Sequence, residues 1–152
     1  MTQSANKNPS LESLGMLVGE WNIEITSMSF YADPSAMARG QSSFNWLEGG
    51  AFLRQRSEIQ NSDFPRSIAI LGFDDAARTY IMLYSDSREV SRIYLMSLSG
   101  GVWKLWRDFP GFSQRFTGTF SDANNTINAS WEKSSDGSNW EHDFDVTYTR
   151  VK

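Results

Sequence analysis

Residues 19–25, with the sequence GEWNIEI, decide the fold, because the period of the apolar residues changes there. Before this stretch, Leu11, Leu14 and Leu17 recur at roughly helical spacing, which predicts a short amphipathic helix that ends near Gly19. Within it, polar and apolar residues alternate, as expected of a strand with one buried face.

Segments of strand composition follow one another to the end of the chain, separated by turn residues. We predict ten strands, at residues 19–25, 41–47, 51–59, 68–73, 80–84, 92–98, 102–106, 115–120, 127–133 and 140–150. None of the links is long enough for a helix that would connect parallel strands, so the strands should form an antiparallel meander. Because closure hides the edge strands best, the sequence predicts an all-β, closed, up-and-down barrel of about ten strands with a short N-terminal helix.

Composition limits the organisation and the partners of this chain of 152 residues and 17.3 kDa. Its length and its lack of linkers predict a single barrel domain at residues 10–152 after a flexible tail at residues 1–9. The net charge of −4 disfavours nucleic-acid binding. No apolar run approaches the roughly 20 residues that span a bilayer, and the polar start lacks the apolar core of a secretion signal. We therefore expect a cytoplasmic protein without a membrane partner.

The number of strands points to ligand binding. A barrel of about eight strands is just wide enough for side chains to fill or for one small ligand, and the diameter grows with the number of strands. Ten strands should leave a lumen that side chains alone cannot fill. The expected function is therefore the binding of a small, mainly apolar molecule, in a carrier or a sensor.

Three residues at the two ends of the meander carry a resemblance. Gly19 and Trp21 open the first strand, and Arg150 ends the last one. This arrangement resembles the calycin superfamily, in which lipocalins pack such an Arg against such a Trp. The resemblance implies that Arg150 and Trp21 close one end of the barrel.

The C-terminal segments resemble one family more specifically. They are WEKSSDGSNW at residues 131–140 and DFDVTYTR at residues 143–150, and LGFD at residues 71–74 and LEGG at residues 47–50 fit the same pattern. Together they look like a bacterial family of lipocalin-like proteins of unknown function. That resemblance implies a fold and no established activity.

His142 is the only histidine, and it carries the main alternative, which is haem binding. By strand alternation it should share a face with Phe144, Val146 and Tyr148. The nitrobindin haem proteins are similar ten-stranded barrels with a haem-ligating His late in the chain. However, residues 19–24 lack the later glycines of the first nitrobindin strand. We therefore expect no cofactor, with haem on His142 as the alternative.

Arg54 and Arg56 share one face of the third predicted strand. If that face lined the lumen, either guanidinium could hold a ligand carboxylate in a bidentate clamp. In the other reading, which the charge of this face favours, both arginines face solvent and Leu53, Gln55 and Ser57 point inward.

Other polar groups stand among apolar neighbours on predicted strand faces. Gln114 shares its face with Phe116, and Tyr84 shares its face with Met82. With Trp106, these residues offer hydrogen-bonding groups where the wall should be apolar, so we expect them to contact the ligand.

Catalytic signatures are missing from the sequence. It has no Gly-x-Ser-x-Gly elbow, no Walker loop and no Gly-x-Gly-x-x-Gly motif. Cysteine is absent and only one histidine is present, which excludes thiolate nucleophiles and most metal motifs. We therefore expect no metal site, and binding rather than catalysis. The remaining alternative is a filled barrel that acts through its outer surface as a homodimer.

Overall fold

Ten antiparallel strands close into one barrel in which each strand pairs with its neighbours in sequence, and the first strand pairs with the last. The computed structural model describes residues 8–151. A short helix α1 (Pro9–Ser13) and a 3-10 turn (Leu14–Leu17) precede the strands. The strands are β1 (Gly19–Thr26), β2 (Ala38–Trp46), β3 (Leu53–Ile59), β4 (Ser67–Asp74), β5 (Thr79–Asp86), β6 (Val90–Ser99), β7 (Val102–Arg107), β8 (Ser113–Ser121), β9 (Thr126–Ser134) and β10 (Glu141–Arg150). The predicted all-β barrel with a short N-terminal helix is confirmed.

The ends of a few strands differ from their predicted positions. β2 begins at Ala38, whereas the predicted strand begins at residue 41. The sequence does not reveal the earlier start, because Ala38 and Gly40 are buried although neither residue is strongly apolar. A Cβ atom at Gly40 would lie 2.2 Å from the carbonyl oxygen of Glu58 on β3. Glycine therefore permits the close approach of β2 and β3, and hydropathy alone does not detect such a position.

The helix α1 begins at Pro9, within the predicted tail of residues 1–9. Asn8 caps α1, since its side-chain oxygen accepts a hydrogen bond of 2.8 Å from the backbone N–H of Ser10. Pro9 occupies the first turn, where its missing N–H costs nothing. Residues 1–7 of the expected tail lie outside the described residues.

The N-terminal segment closes one end of the barrel. Leu14 and Leu17 are fully buried there, and the indole N–H of Trp21 donates to the carbonyl of Leu17 at 2.9 Å. The expected stacking is present, because the Arg150 guanidinium carbon lies 4.1 Å from the centre of the Trp21 ring. Gly19 has a φ of +132° and a Cβ atom there would lie 2.8 Å from the guanidinium, so this place beneath Arg150 requires glycine.

The described helical segments are short, and none of them could cross a membrane. The apolar core lies on the inner face of the barrel, where alternate residues of each strand are buried. The core is packed at the closed end, and towards the other end its members line a cavity.

Candidate ligand-binding site

The lumen contains a cavity of about 450 Å³. Inward-facing residues of every strand except β2 line it, and the loops at the end opposite the N-terminal helix form its mouth. The apolar part of its wall includes Ile25, Met82, Leu105, Phe116, Trp131 and Val146. Pockets of about 300–1,000 Å³ with mostly apolar walls are typical sites for small molecules.

Three aromatic side chains form a cluster at the mouth. Phe30, in the loop after β1, contacts Phe64 and Phe144 at centroid distances of 6.1 Å each. Phe30 is 51% exposed, although Phe64 and Phe144 pack against the core. The mouth therefore presents apolar surface to solvent.

Gln114 on β8 is the centre of the first polar group in the cavity. Its side-chain oxygen accepts a hydrogen bond from the Tyr94 hydroxyl at 2.7 Å and one from the Arg92 guanidinium at 3.4 Å. Burial raises the pKa of Tyr94, and the hydrogen bond and charge of Arg92 oppose that rise. Tyr94 therefore stays a neutral hydrogen-bond donor at ordinary pH.

Tyr84, Asp86 and Arg88 form the second polar group, at the end of the hairpin of β5 and β6. The Tyr84 hydroxyl donates to Asp86 at 2.6 Å, and Arg88 donates to the same carboxylate at 2.6 Å. The Arg88 hydrogen bond and the Tyr84 hydrogen bond lower the pKa of Asp86 to about 2 against the opposing effect of burial. Burial, followed by the bond to Asp86, raises the pKa of Tyr84. This group is internally satisfied.

A third polar group lies on the β2–β3 side of the lumen. Ser42 and Ser57 share a hydrogen bond of 2.8 Å, and the Gln55 amide donates to Ser42 at 3.2 Å. Burial raises the pKa of Tyr148 to about 12, and a hydrogen bond with Gln55 reduces the effect. These neutral groups can bind a polar atom of a ligand but supply no charge.

Among the described residues 8–151, Trp103 is the one aromatic residue of the cavity wall with a buried polar atom that lacks a hydrogen-bond partner. Its side chain is 1% exposed, and its indole N–H has no hydrogen-bond partner there. A buried donor without an acceptor costs free energy on the order of 1–3 kcal/mol, which a suitable ligand could recover.

The structure places the predicted site residues Tyr84 and Gln114 in the wall of the cavity. Trp106, expected beside them, does not line it. The two faces of β7 have similar compositions, so alternation does not indicate which face is buried. One face carries Val102, Lys104 and Trp106, and the other carries Trp103, Leu105 and Arg107. The barrel buries Trp103 and Leu105, so Trp106 faces outward beside Leu95 of β6.

The reading that charge favoured for β3 agrees with the structure, so a clamp by Arg54 or Arg56 is not formed. Gln55 and Ser57 line the cavity, and Arg56 is exposed on the outer face. Arg54 also lies on the outer face, in register with Ile70 of β4. Outward placement spares both guanidinium groups the cost of entering an apolar lumen.

His142 lies outside the cavity, contrary to the expectation from strand alternation. A β-bulge between His142 and Phe144 inserts Asp143 as an extra residue, which reverses the alternation. Phe144 therefore pairs with Trp131 and lines the lumen, whereas the imidazole hydrogen-bonds Asp145 at 2.9 Å on the outer surface.

Sequence reasoning missed Arg92, Tyr94 and Trp103. The pairing of β5 with β6 could have identified two of them. Arg92 lies in register with Tyr84, and Tyr94 lies in register with Met82. Correct pairing of the two strands would have placed Arg92 on the same face as the predicted site residue Tyr84.

The described residues contain no group of three or more His, Cys, Asp or Glu side chains that could hold a metal ion. The cavity wall has carboxylates at Asp63 and Asp143. Asp63 accepts a hydrogen bond from Tyr31 at 2.7 Å, and Asp143 lies 3.6 Å from the Lys133 ammonium. Each carboxylate therefore has its own partner.

The comparisons with known proteins give a family and a fold. A family model described as "Protein of unknown function (DUF1579)" matches residues 8–104. No curated protein matches the sequence. The crystal structure of Rv2717c from M. tuberculosis is similar over 95% of this chain and 99% of that chain, with a TM-score of 0.65 and 12% identity. This likeness concerns the fold alone.

A second solved structure is a protein of unknown function from the DUF3598 family of Nostoc punctiforme. The match has 8% identity and covers 95% of this chain and 100% of that chain, with a TM-score of 0.29. A superposition this poor has no bearing on the fold or the site.

Proposed function

The chain belongs to the DUF1579 family of proteins of unknown function, and we propose that it binds a small, mainly apolar molecule in the barrel lumen, as a carrier or a sensor. The cavity of about 450 Å³ is the observation that carries this proposal. Its apolar wall, with a few polar groups at defined places, has the composition of small-molecule sites. Such a wall favours an apolar body with a polar end.

We assign the fold to the lipocalin-like, calycin type as part of the same proposal. The support is the closed end, where Arg150 covers Trp21 and Gly19 leaves room for the guanidinium. In this type of barrel, a closed end and an open mouth define one route for the ligand.

A binding role fits the polar groups better than a catalytic one. In the described part of the lumen, the serine hydroxyls of Ser42 and Ser57 hydrogen-bond each other and Gln55, and none of these groups is a general base. Tyr84 donates to a carboxylate that already binds Arg88. Such an arrangement orients a ligand and offers it no activated nucleophile.

A neutral fluorescent probe tests the proposal. We expect N-phenyl-1-naphthylamine, whose emission rises in apolar surroundings, to bind the wild-type protein at one saturable site. Ser57→Trp should weaken binding at least about tenfold, because the indole would occupy the cavity that Ser57 lines. Gln41→Trp, on the exposed face of the neighbouring strand β2, should leave the affinity unchanged and serves as the control.

Circular dichroism would verify that both variants fold. If the melting temperature of Ser57→Trp is much lower than that of the wild type, Ser67→Trp provides a second blocking position, since Ser67 also lines the cavity. Absence of a saturable signal in the wild type, or equal affinity in the folded blocking variants, would contradict lumen binding.

A further inference from the structure

We propose that the ligand of the lumen is an amphipathic acid, and that Arg92 binds its carboxylate while the apolar wall holds its tail. This inference rests on the proposed lumen-binding function and names the chemical class of the ligand. It starts from the charges of the cavity.

Arg92 is a half-buried cation of the cavity wall that has neutral partners. Its guanidinium reaches the Gln114 oxygen at 3.4 Å and lies 5.3 Å from the centre of the Phe112 ring. Within the described chain, no carboxylate lies within 4.0 Å of it, although Arg88 pairs with Asp86 and Lys133 pairs with Asp143. A guanidinium removed from water without a counter-ion is costly, and an anionic ligand would supply that counter-ion.

Neighbouring groups add hydrogen-bond donors without adding acceptors. The Gln114 oxygen accepts from both Tyr94 and Arg92, which fixes the orientation of the amide. Deeper in the cavity, the buried indole N–H of Trp103 has no acceptor among the described residues. A carboxylate only accepts hydrogen bonds, so it complements this surplus of donors.

Arg107 enlarges the positive region. It lies on the same face of β7 as Trp103 and Leu105, and it pairs in register with Gln114. Its Nε is buried without a hydrogen-bond partner in residues 8–151, and its guanidinium lies 4.8 Å from the Phe109 ring. Arg107 does not line the cavity itself, but it adds positive charge beside Gln114, and among the described residues neither Arg107 nor Arg92 forms an ion pair.

The rest of the cavity fits the tail of such a ligand. Ile25, Leu105 and Val146 provide an apolar wall below the polar groups. The planar guanidinium of Arg92 suits a planar carboxylate, which it can bind through two parallel hydrogen bonds. The carboxylates at the mouth, Asp63 and Asp143, already have partners and do not create a need for a cationic ligand.

A matched pair of competitors tests the inference. Dodecanoic acid and dodecan-1-ol have the same chain length and differ in the charge of the head group. Each would displace N-phenyl-1-naphthylamine from the wild-type protein at pH 7.5 and constant ionic strength, below the concentration at which the competitors aggregate. We expect the acid to bind at least about tenfold more tightly than the alcohol, a preference typical of a charge-assisted contact.

Arg92→Gln should reduce this preference, which is the ratio of the two affinities measured on the same variant, to less than about twofold. Arg56→Gln removes an arginine from the outer face of β3 and should retain the full preference. Gln114→Leu offers a second variant, in which loss of the amide should also reduce the preference for the acid.

The outcomes separate the two proposals. If the neutral probe binds and the wild type shows no preference for the acid, the inference about the acid is wrong and lumen binding stands. A preference that persists in folded Arg92→Gln and Gln114→Leu would also overturn the assigned carboxylate site. If neither the probe nor either competitor binds, the proposed function itself fails.

Discussion

Arg150 satisfies several backbone groups and an aromatic ring at the same time. Its guanidinium donates to the carbonyls of Val18 at 2.6 Å, Met16 at 2.9 Å and Asn124 at 3.2 Å, while it covers Trp21. These bonds join the N-terminal turn, the loop between β8 and β9 and the end of β10. One side chain thereby ties distant parts of the chain together at the closed end.

We expect Arg150→Ala to lower the free energy of unfolding by about 2–4 kcal/mol, because it removes charge-assisted hydrogen bonds and the cation–π contact. Urea denaturation followed by tryptophan fluorescence measures this change. Arg39→Ala is the control, since Arg39 forms an exposed pair with Glu24 and should cost less than about 1 kcal/mol. Equal small losses in both variants would contradict the assigned role of Arg150.

His142 provides a prediction about haem. Its imidazole lies on the outer surface, bonded to Asp145, which in turn accepts a hydrogen bond from Ser130. An axial ligand in the lumen would require the bulge at Asp143 to rearrange. We therefore expect a haem titration to give no sharp Soret band that depends on His142. A band that forms with the wild type and is lost in His142→Ala would show that this histidine does reach the haem.

At the scale of secondary-structure elements, the turn of the hairpin of β5 and β6 contains a network of an ion pair and hydrogen bonds around Asp86. Asp86 ends β5 with its side chain fully buried, and its carboxylate accepts from the Arg88 guanidinium and backbone and from Tyr84. The network fixes the turn that carries Arg92 into the lumen. It also makes the hairpin sensitive to acid.

We expect the stability of the protein to fall as pH decreases from about 4 to about 2, partly through Asp86. The folded-state pKa of this carboxyl is lowered from 3.8 to about 2, so its stabilisation is present above pH 4 and is lost as protonation approaches the folded pKa. The contribution is on the order of 2 kcal/mol. Urea denaturation between pH 5 and pH 2 should show a weaker pH dependence in Asp86→Asn than in the wild type.

Asp75→Asn is the matched control for this experiment, because Asp75 is exposed in the turn between β4 and β5. It should retain the wild-type dependence on pH. If Asp86→Asn and Asp75→Asn have the same profile, the network around Asp86 does not control the acid sensitivity.

At the scale of the whole molecule, the barrel divides into a packed end and a hollow end. The helical segment, Leu14, Leu17 and Trp21 fill the first end, and the cavity occupies the second. Tyr80 adds a hydrogen bond of 2.6 Å from its hydroxyl to the carbonyl of Ser10, which holds the helix against the barrel. Stability and binding should therefore depend on different residues.

Leu14→Ala tests this division. Leu14 is fully buried and does not line the cavity, so the substitution should cost about 2–5 kcal/mol of folding free energy. At a temperature where the variant remains folded, its affinity for the neutral probe should match that of the wild type within about twofold. Leu11→Ala, at a partly buried position of α1, should destabilise less. Loss of probe affinity in folded Leu14→Ala would show that the two ends are coupled.

The sequence by itself determined the number and order of the strands, the antiparallel meander and the residues of the closed end. These features depend on local alternation, on turn residues and on the places of Gly19, Trp21 and Arg150 in the chain. It also identified Tyr84 and Gln114 as members of the cavity wall, because each is polar on an otherwise apolar face.

Only the tertiary structure decided which faces of β3, β7 and β10 line the lumen. Alternation divides a strand into two faces and does not say which one is inside when both carry polar and apolar residues, as around Arg54 and Trp106. The bulge at Asp143 further reversed the face of His142. Closure of the barrel resolves these ambiguities because each strand must match its two neighbours, and that requirement brought Arg92 into the lumen beside Gln114.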